Sequence, residues 1–143
     1  MPCVTHALAG SMRSSTLICD DIRLEVGNRF SLMGVMHIVA VDQFPFTLPR
    51  MAVLNRLEGR GLGNVQTQII TPDRSAAVMV SDPSTIDLSA GGYMFNMVFF
   101  GNVVFREPGT YWVQTYFDSE LISEVPFAVL VHEHHGTSYT VAQ

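Results

Sequence analysis

Glu107-Pro108-Gly109-Thr110-Tyr111-Trp112-Val113 is the stretch on which the fold turns. Pro108 and Gly109 end one extended run, and Thr110 to Val113 open another with strong strand formers. An acidic residue, then Gly, then a Tyr entering a strand is the pattern in which the phenol turns back to the chain upstream and pins a corner between two stacked sheets. It predicts a sandwich rather than a barrel. Downstream, Tyr111, Val113, Thr115 and Phe117 line one strand face. Asp118-Ser119-Glu120 turns the chain into a last strand, Leu121 to Val131, where Pro126 implies an edge or a bulge. Upstream, Tyr93, Phe95, Met97 and Phe99 form one face of a long strand, which reads as a core strand.

The same alternation runs back toward the start. Ile22, Leu24 and Val26 face one way and Arg23 and Glu25 the other, Gly27-Asn28 supplies a turn, and Phe30 to Val39 is apolar at nearly every position. The two segments read as a hairpin whose second strand is buried on both faces or lies near the sheet centre. Pro45 and Pro49 bracket a turn-rich connection to a strand in which Met51, Val53 and Leu57 alternate with Ala52, Leu54 and Arg56. Glu58-Gly59-Arg60-Gly61-Leu62-Gly63 reads as a flexible hairpin loop ending it. Val65, Thr67 and Ile69 then alternate with Gln66 and Gln68, and Pro72-Asp73-Arg74 turns the chain into a short strand, Ala77 to Val80. No window keeps a capped helical period. The reading is all-β: a two-sheet antiparallel sandwich of about eight strands with almost no helix.

With 143 residues the chain suits one domain, read as residues 15–143 behind a flexible segment, residues 1–14. Charged residues are only 15%, against roughly a quarter in an average soluble domain, so a surface this poor in charge favours self-association. The net charge is −5, Lys is absent, and the Arg residues are scattered from Arg13 to Arg106, which argues against nucleic acid and anionic membranes as partners. Cys3 and Cys19 do not suggest a structural disulfide, and no signal peptide or apolar run of membrane-spanning length is legible. A reduced, cytoplasmic protein is the expectation.

Several constellations invite a chemical reading. In His132-Glu133-His134-His135, a strand continued through the segment would place His132 and His134 on one face, within reach of a shared metal, with His6 or His37 as a third ligand. The plainer reading, a solvated polar strand end, is preferred because no partner ligand is visible. Asp20-Asp21 could offer carboxylates to a cation, yet neighbours on an extended chain point to opposite faces, so a polar hairpin entrance is the better reading. Gly59 to Gly63 has a phosphate-loop look without the following helix N-terminus such a loop requires. No Ser stands in a nucleophile elbow. No catalytic residue and no cofactor are expected.

Cys19-Asp20-Asp21-Ile22-Arg23-Leu24-Glu25-Val26-Gly27-Asn28-Arg29-Phe30-Ser31-Leu32-Met33-Gly34-Val35 and Phe105-Arg106-Glu107-Pro108-Gly109-Thr110-Tyr111, the latter followed by Phe117-Asp118, resemble a family of small bacterial proteins known only as a domain of unknown function. The resemblance spans most of residues 19–131. It implies an immunoglobulin-like sandwich, with Val113 where antibody domains carry a disulfide Cys, and no activity. The functional expectation is a non-enzymatic interaction or structural module that forms a homo-oligomer or binds another protein. The alternative is a metal-binding protein or metalloenzyme using His132 and His134.

Overall fold

The computed structural model describes residues 11–131 and 140–142. Among them there is no helix, and nine strands follow one another: β1 (Arg13–Cys19), β2 (Asp21–Glu25), β3 (Arg29–Met33), β4 (Ile38–Val41), β5 (Phe46–Ile70), β6 (Ala77–Val80), β7 (Ser84–Phe105), β8 (Gly109–Phe117) and β9 (Glu120–Val131). Seven of them form one hydrogen-bonded sheet, and β2 and β3 form a separate two-stranded ribbon.

The seven-stranded sheet makes two layers because its two longest strands bend. Residues 46–58 of β5 pair with residues 93–105 of β7, and residues 52–58 also pair with β1 on the other side. Residues 65–70 of β5 instead join β6 and β8, beyond which come β9 and then β4, the last in parallel. The bend falls at Gly59 and Gly61, where the register against β7 shifts. Gly59 has φ +146°, and a Cβ there would collide with the Ser11 carbonyl oxygen, so only glycine fits. Gly59 to Gly63, expected as a loop between two strands, is therefore the interior of one strand. Glycines that would free a hairpin loop also let a paired strand cross from one layer to the other.

The core lies between the layers in two apolar clusters. Met51, Val53, Phe100, Val103 and Phe105 of the first layer meet Ile69, Tyr111, Val113, Phe127 and Val129 of the second. A smaller cluster toward the bend holds Met12, Leu57, Val65, Ile86 and Leu88. Between them Asn55, Thr67 and Thr115 are wholly buried yet satisfied. The Asn55 amide donates to Thr67 Oγ1 (3.1 Å) and Asn96 Oδ1 (3.2 Å), and its oxygen accepts from Thr16 (2.8 Å) and Thr115 (3.0 Å). No buried side-chain polar atom lacks a partner among the described residues.

The expected corner is present. Tyr111 is 1% exposed, its hydroxyl donates to the Glu107 carbonyl at 2.6 Å, and Tyr111, Val113 and Thr115 all face the core. The hairpin is present too, with Ile22 opposite Leu32, Leu24 opposite Phe30, and positive φ at Gly27 and Asn28. Phe30 to Val39, however, is not one strand buried on both faces. It breaks after Met33 into β3 and β4, and both are largely half-buried or exposed: β3 belongs to the ribbon, which covers the sandwich from outside and has solvent on its far side, and β4 is the last strand of the larger sheet beyond β9. Pro49 lies inside β5 rather than in a connection, at a level where, among the described residues, β5 has a neighbour only on its β7 side. Pro126 sits in the part of β9 that β4 does not reach, as an edge position requires. Of the segment 1–14, the first ten residues lie outside the described residues; Met12 is buried and β1 starts at Arg13.

Candidate interaction surface

Asp20 and Asp21 mark the mouth of the ribbon. The Asp20 amide donates to the carbonyls of Met33 (2.9 Å) and Gly34 (3.1 Å), Asp21 Oδ1 accepts from the Ile22 amide, and the Arg50 guanidinium stands 3.8 Å from each carboxylate. Both acids serve the hairpin entrance. Cys19, beside them, is fully buried as a free thiol, and burial followed by the two neighbouring carboxylates pushes its pKa up, which makes it a poor nucleophile. Arg60, within the glycine-rich bend, donates to the Ser89 carbonyl rather than facing an anion pocket.

His132 and His134, with His6, lie outside the described residues. His37 precedes β4, and its carbonyl accepts from the Ala128 amide. Among the described residues no three His, Cys, Asp or Glu side chains gather as a metal site requires. No helix among them is long and apolar enough to cross a membrane.

The outer face of the second layer carries a polar ladder. Arg74 holds Glu124 with two bonds (2.8 and 3.1 Å) and stacks over Trp112 at 4.3 Å, while Gln114 donates to Glu124 (2.7 Å) and accepts from Gln68 (2.9 Å) and Tyr116 (3.0 Å). These bonds occupy the groups that would otherwise greet a ligand, and the hydrogen bonds from Arg74 and then Gln114 hold the Glu124 pKa low.

The outer face of the first layer is different in kind. Glu58, Arg56, Leu54 and Ala52 of β5 stand opposite Tyr93, Phe95, Met97 and Phe99 of β7, and all eight point away from the core. The face of β7 expected inside is thus outside, and Val98 and Phe100 occupy the core side. The ribbon covers only the middle: Ile22, Phe30 and Leu32 pack on Cys19, Ala52, Leu54 and Met97. Phe30 meets Phe95 edge to face at 4.9 Å, Tyr93 meets Phe95 at 6.1 Å, and Arg56 lies over the Tyr93 ring at 4.6 Å. Tyr93 remains 59% exposed, Phe95 39%, Phe99 60%, and Leu24 at the ribbon 76%.

Among the described residues, residues 93–105 of β7 pair only with β5, which leaves their other edge without a strand neighbour there. A groove of ≈ 340 Å³, lined by Met79, Ser81, Asn96, Val98 and Phe100 among others, keeps that edge apart from β6. From Leu88 to Phe105 the strand has no Asp, Glu, Lys, Arg, His or Pro. Natural edge strands usually carry at least one such residue to prevent pairing. The sequence signal for this surface was available in that uncharged run, but the alternation alone assigned its aromatic face to the core.

Two layers, a tyrosine corner and a parallel β4–β9 closure define an all-β, immunoglobulin-like sandwich. The chain belongs to a family of unknown function, DUF6941, whose model matches residues 14–130. No curated protein is similar to it in sequence. Among solved structures, it is similar to the Pseudomonas fluorescens alkylpurine DNA glycosylase AlkC bound to DNA containing an abasic-site analogue, with TM-score 0.51 and 10% identity, over 88% of this chain and 32% of that one. It is also similar to a β-glucosidase from Listeria innocua in complex with glucose (TM-score 0.47, 11% identity, 86% and 17% covered). A third is an immunoglobulin-like protein from Pseudomonas aeruginosa (TM-score 0.40, 12% identity, 85% and 98% covered). The chain spans about a third of the length of the glycosylase and less of the glucosidase. The likeness to the glycosylase is one of fold, and the activities belong to those proteins.

Proposed function

We propose that this protein is a non-enzymatic interaction module that associates with a second copy of itself through the outer face and free edge of β7. The observation that carries the reading is the combination on one strand of exposed Tyr93, Phe95 and Phe99 with an uncharged, proline-free edge. An aromatic patch of this kind in water marks a binding surface, and a second copy meets it along a strand edge that carries no charged residue from Leu88 to Phe105. Among the described residues, Asp20 and Asp21, Arg60 of the glycine-rich bend and the buried polar belt around Asn55 all have structural partners, which supports the reading. Light scattering on the purified chain after size exclusion tests it, with a mass above 15.8 kDa per particle at micromolar concentration as the expected result. A single monomeric species over the whole accessible range would sink it.

A further inference from the structure

We infer that two copies pair β7 against β7 in antiparallel fashion about a two-fold axis passing through Met97, continuing the first layer across the dimer; this rests on the self-association reading above. Antiparallel partners lie on the same face of a sheet, so a two-fold edge pairing can be centred only on a residue, never between two. That leaves a short set of registers.

Centring on Met97 places Phe95 of one copy opposite Phe99 of the other, twice, on the exposed outer face. It also sets Tyr93 against Gly101, which has no side chain to crowd the ring. Directly opposed aromatic pairs are among the most favourable cross-strand contacts. Centring on Phe95 or Phe99 makes only one such pair on the outer face, at the axis, and leaves the other Phe opposite Gly91 or opposite Val103, whose side chain is buried in the core. Centring on Asn96 sets Tyr93 against Phe99 but puts two Asn side chains together at the axis, and centring on Val98 sets Phe95 against Gly101. Met97 alone pairs both Phe residues with each other.

Tyr93, Phe95 and Phe99 are 59%, 39% and 60% exposed. At ~150–250 Å² per aromatic side chain they offer about 300 Å² from each copy. Pairing of the strand edges adds to this, toward the ~1,200 Å² at which stable association begins.

Nitroxide labels at Tyr93→Cys and, separately, at Gly101→Cys test the register by electron–electron dipolar spectroscopy. A Cys3→Ser background is used, and Cys19 is buried beyond the reach of the label. Gly101 tolerates the change, since a Cβ there meets nothing closer than the Pro49 carbonyl at 4.0 Å. Both positions stand four residues from Met97, so at ~3.4 Å per residue both backbone separations should be about 27 Å. A centre displaced by one residue splits them to about 20 and 34 Å. Unequal separations, or none in this range, in a protein that is still dimeric overturn the register and leave self-association standing. An unlabelled chain that is monomeric in light scattering overturns both.

Discussion

The Tyr111 hydroxyl donates to the Glu107 carbonyl at 2.6 Å, closing the corner between β7 and β8 from inside the core. The ring lies 4.9 Å from Phe105 and 5.8 Å from Phe127, so the residue combines apolar packing with one polar bond. Tyr111→Phe keeps the packing and leaves the carbonyl unsatisfied. A loss of about 1–3 kcal/mol is expected, seen as a lower denaturation midpoint with unchanged slope. An unchanged midpoint would show the corner to be held by packing alone.

Asn55 joins both layers through four hydroxyl or amide partners. Asn55→Leu removes them together and strands the Thr16, Thr67 and Thr115 hydroxyls around an apolar group. The loss should be at least about 2 kcal/mol, more than for Ser14→Ala, whose bond to Asn55 is 3.4 Å long. Equal effects in chemical denaturation would mean that the belt relaxes freely.

Arg74 and Glu124 form a two-pronged ion pair whose side chains are 48% and 24% exposed. Solvent screens it, so Arg74→Ala should leave the denaturation midpoint almost unchanged, while uncovering Trp112 should change its fluorescence. A clear fall in the midpoint would assign the ladder a structural weight its exposure does not suggest.

Asp73 accepts from the Ser75 hydroxyl and amide and from Thr71, and these bonds hold its pKa down to about 2 from 3.8. A carboxylate depressed in the folded state contributes stability above its unfolded pKa and loses it as pH falls through the folded one. The 71–76 turn should therefore keep its geometry to below pH 3.8 and loosen toward about pH 2. The Asp73 side-chain shift in an NMR titration checks this; a midpoint at the ordinary carboxylate value would refute it.

Phe99→Lys places a charge on the exposed face of β7 without touching the core, since Phe99 points outward and is 60% exposed. Edge lysines oppose strand pairing. The variant should stay folded by circular dichroism and shift to the monomer in light scattering. Persistence of the oligomer would move the interface elsewhere on the molecule.

The sequence by itself determined that the chain is all-β, that a tyrosine closes a corner between sheets, and that residues 22–32 fold back as a hairpin. Each rests on information local to a few residues: alternation, turn formers and a Tyr after Gly. Local information could not decide which face of a strand is the inside. Met51 to Leu54 are all buried because a ribbon covers the outer side, and Phe99 is exposed because the ribbon stops short of it. Nor could it tell a loop from a bend, since Gly59 is equally suited to both until strands pair on either side of it. The tertiary structure made those choices, and with them turned an aromatic strand that read as core into the surface proposed for association. An apolar side chain in a sandwich has two faces open to it, and only the neighbouring layer selects one.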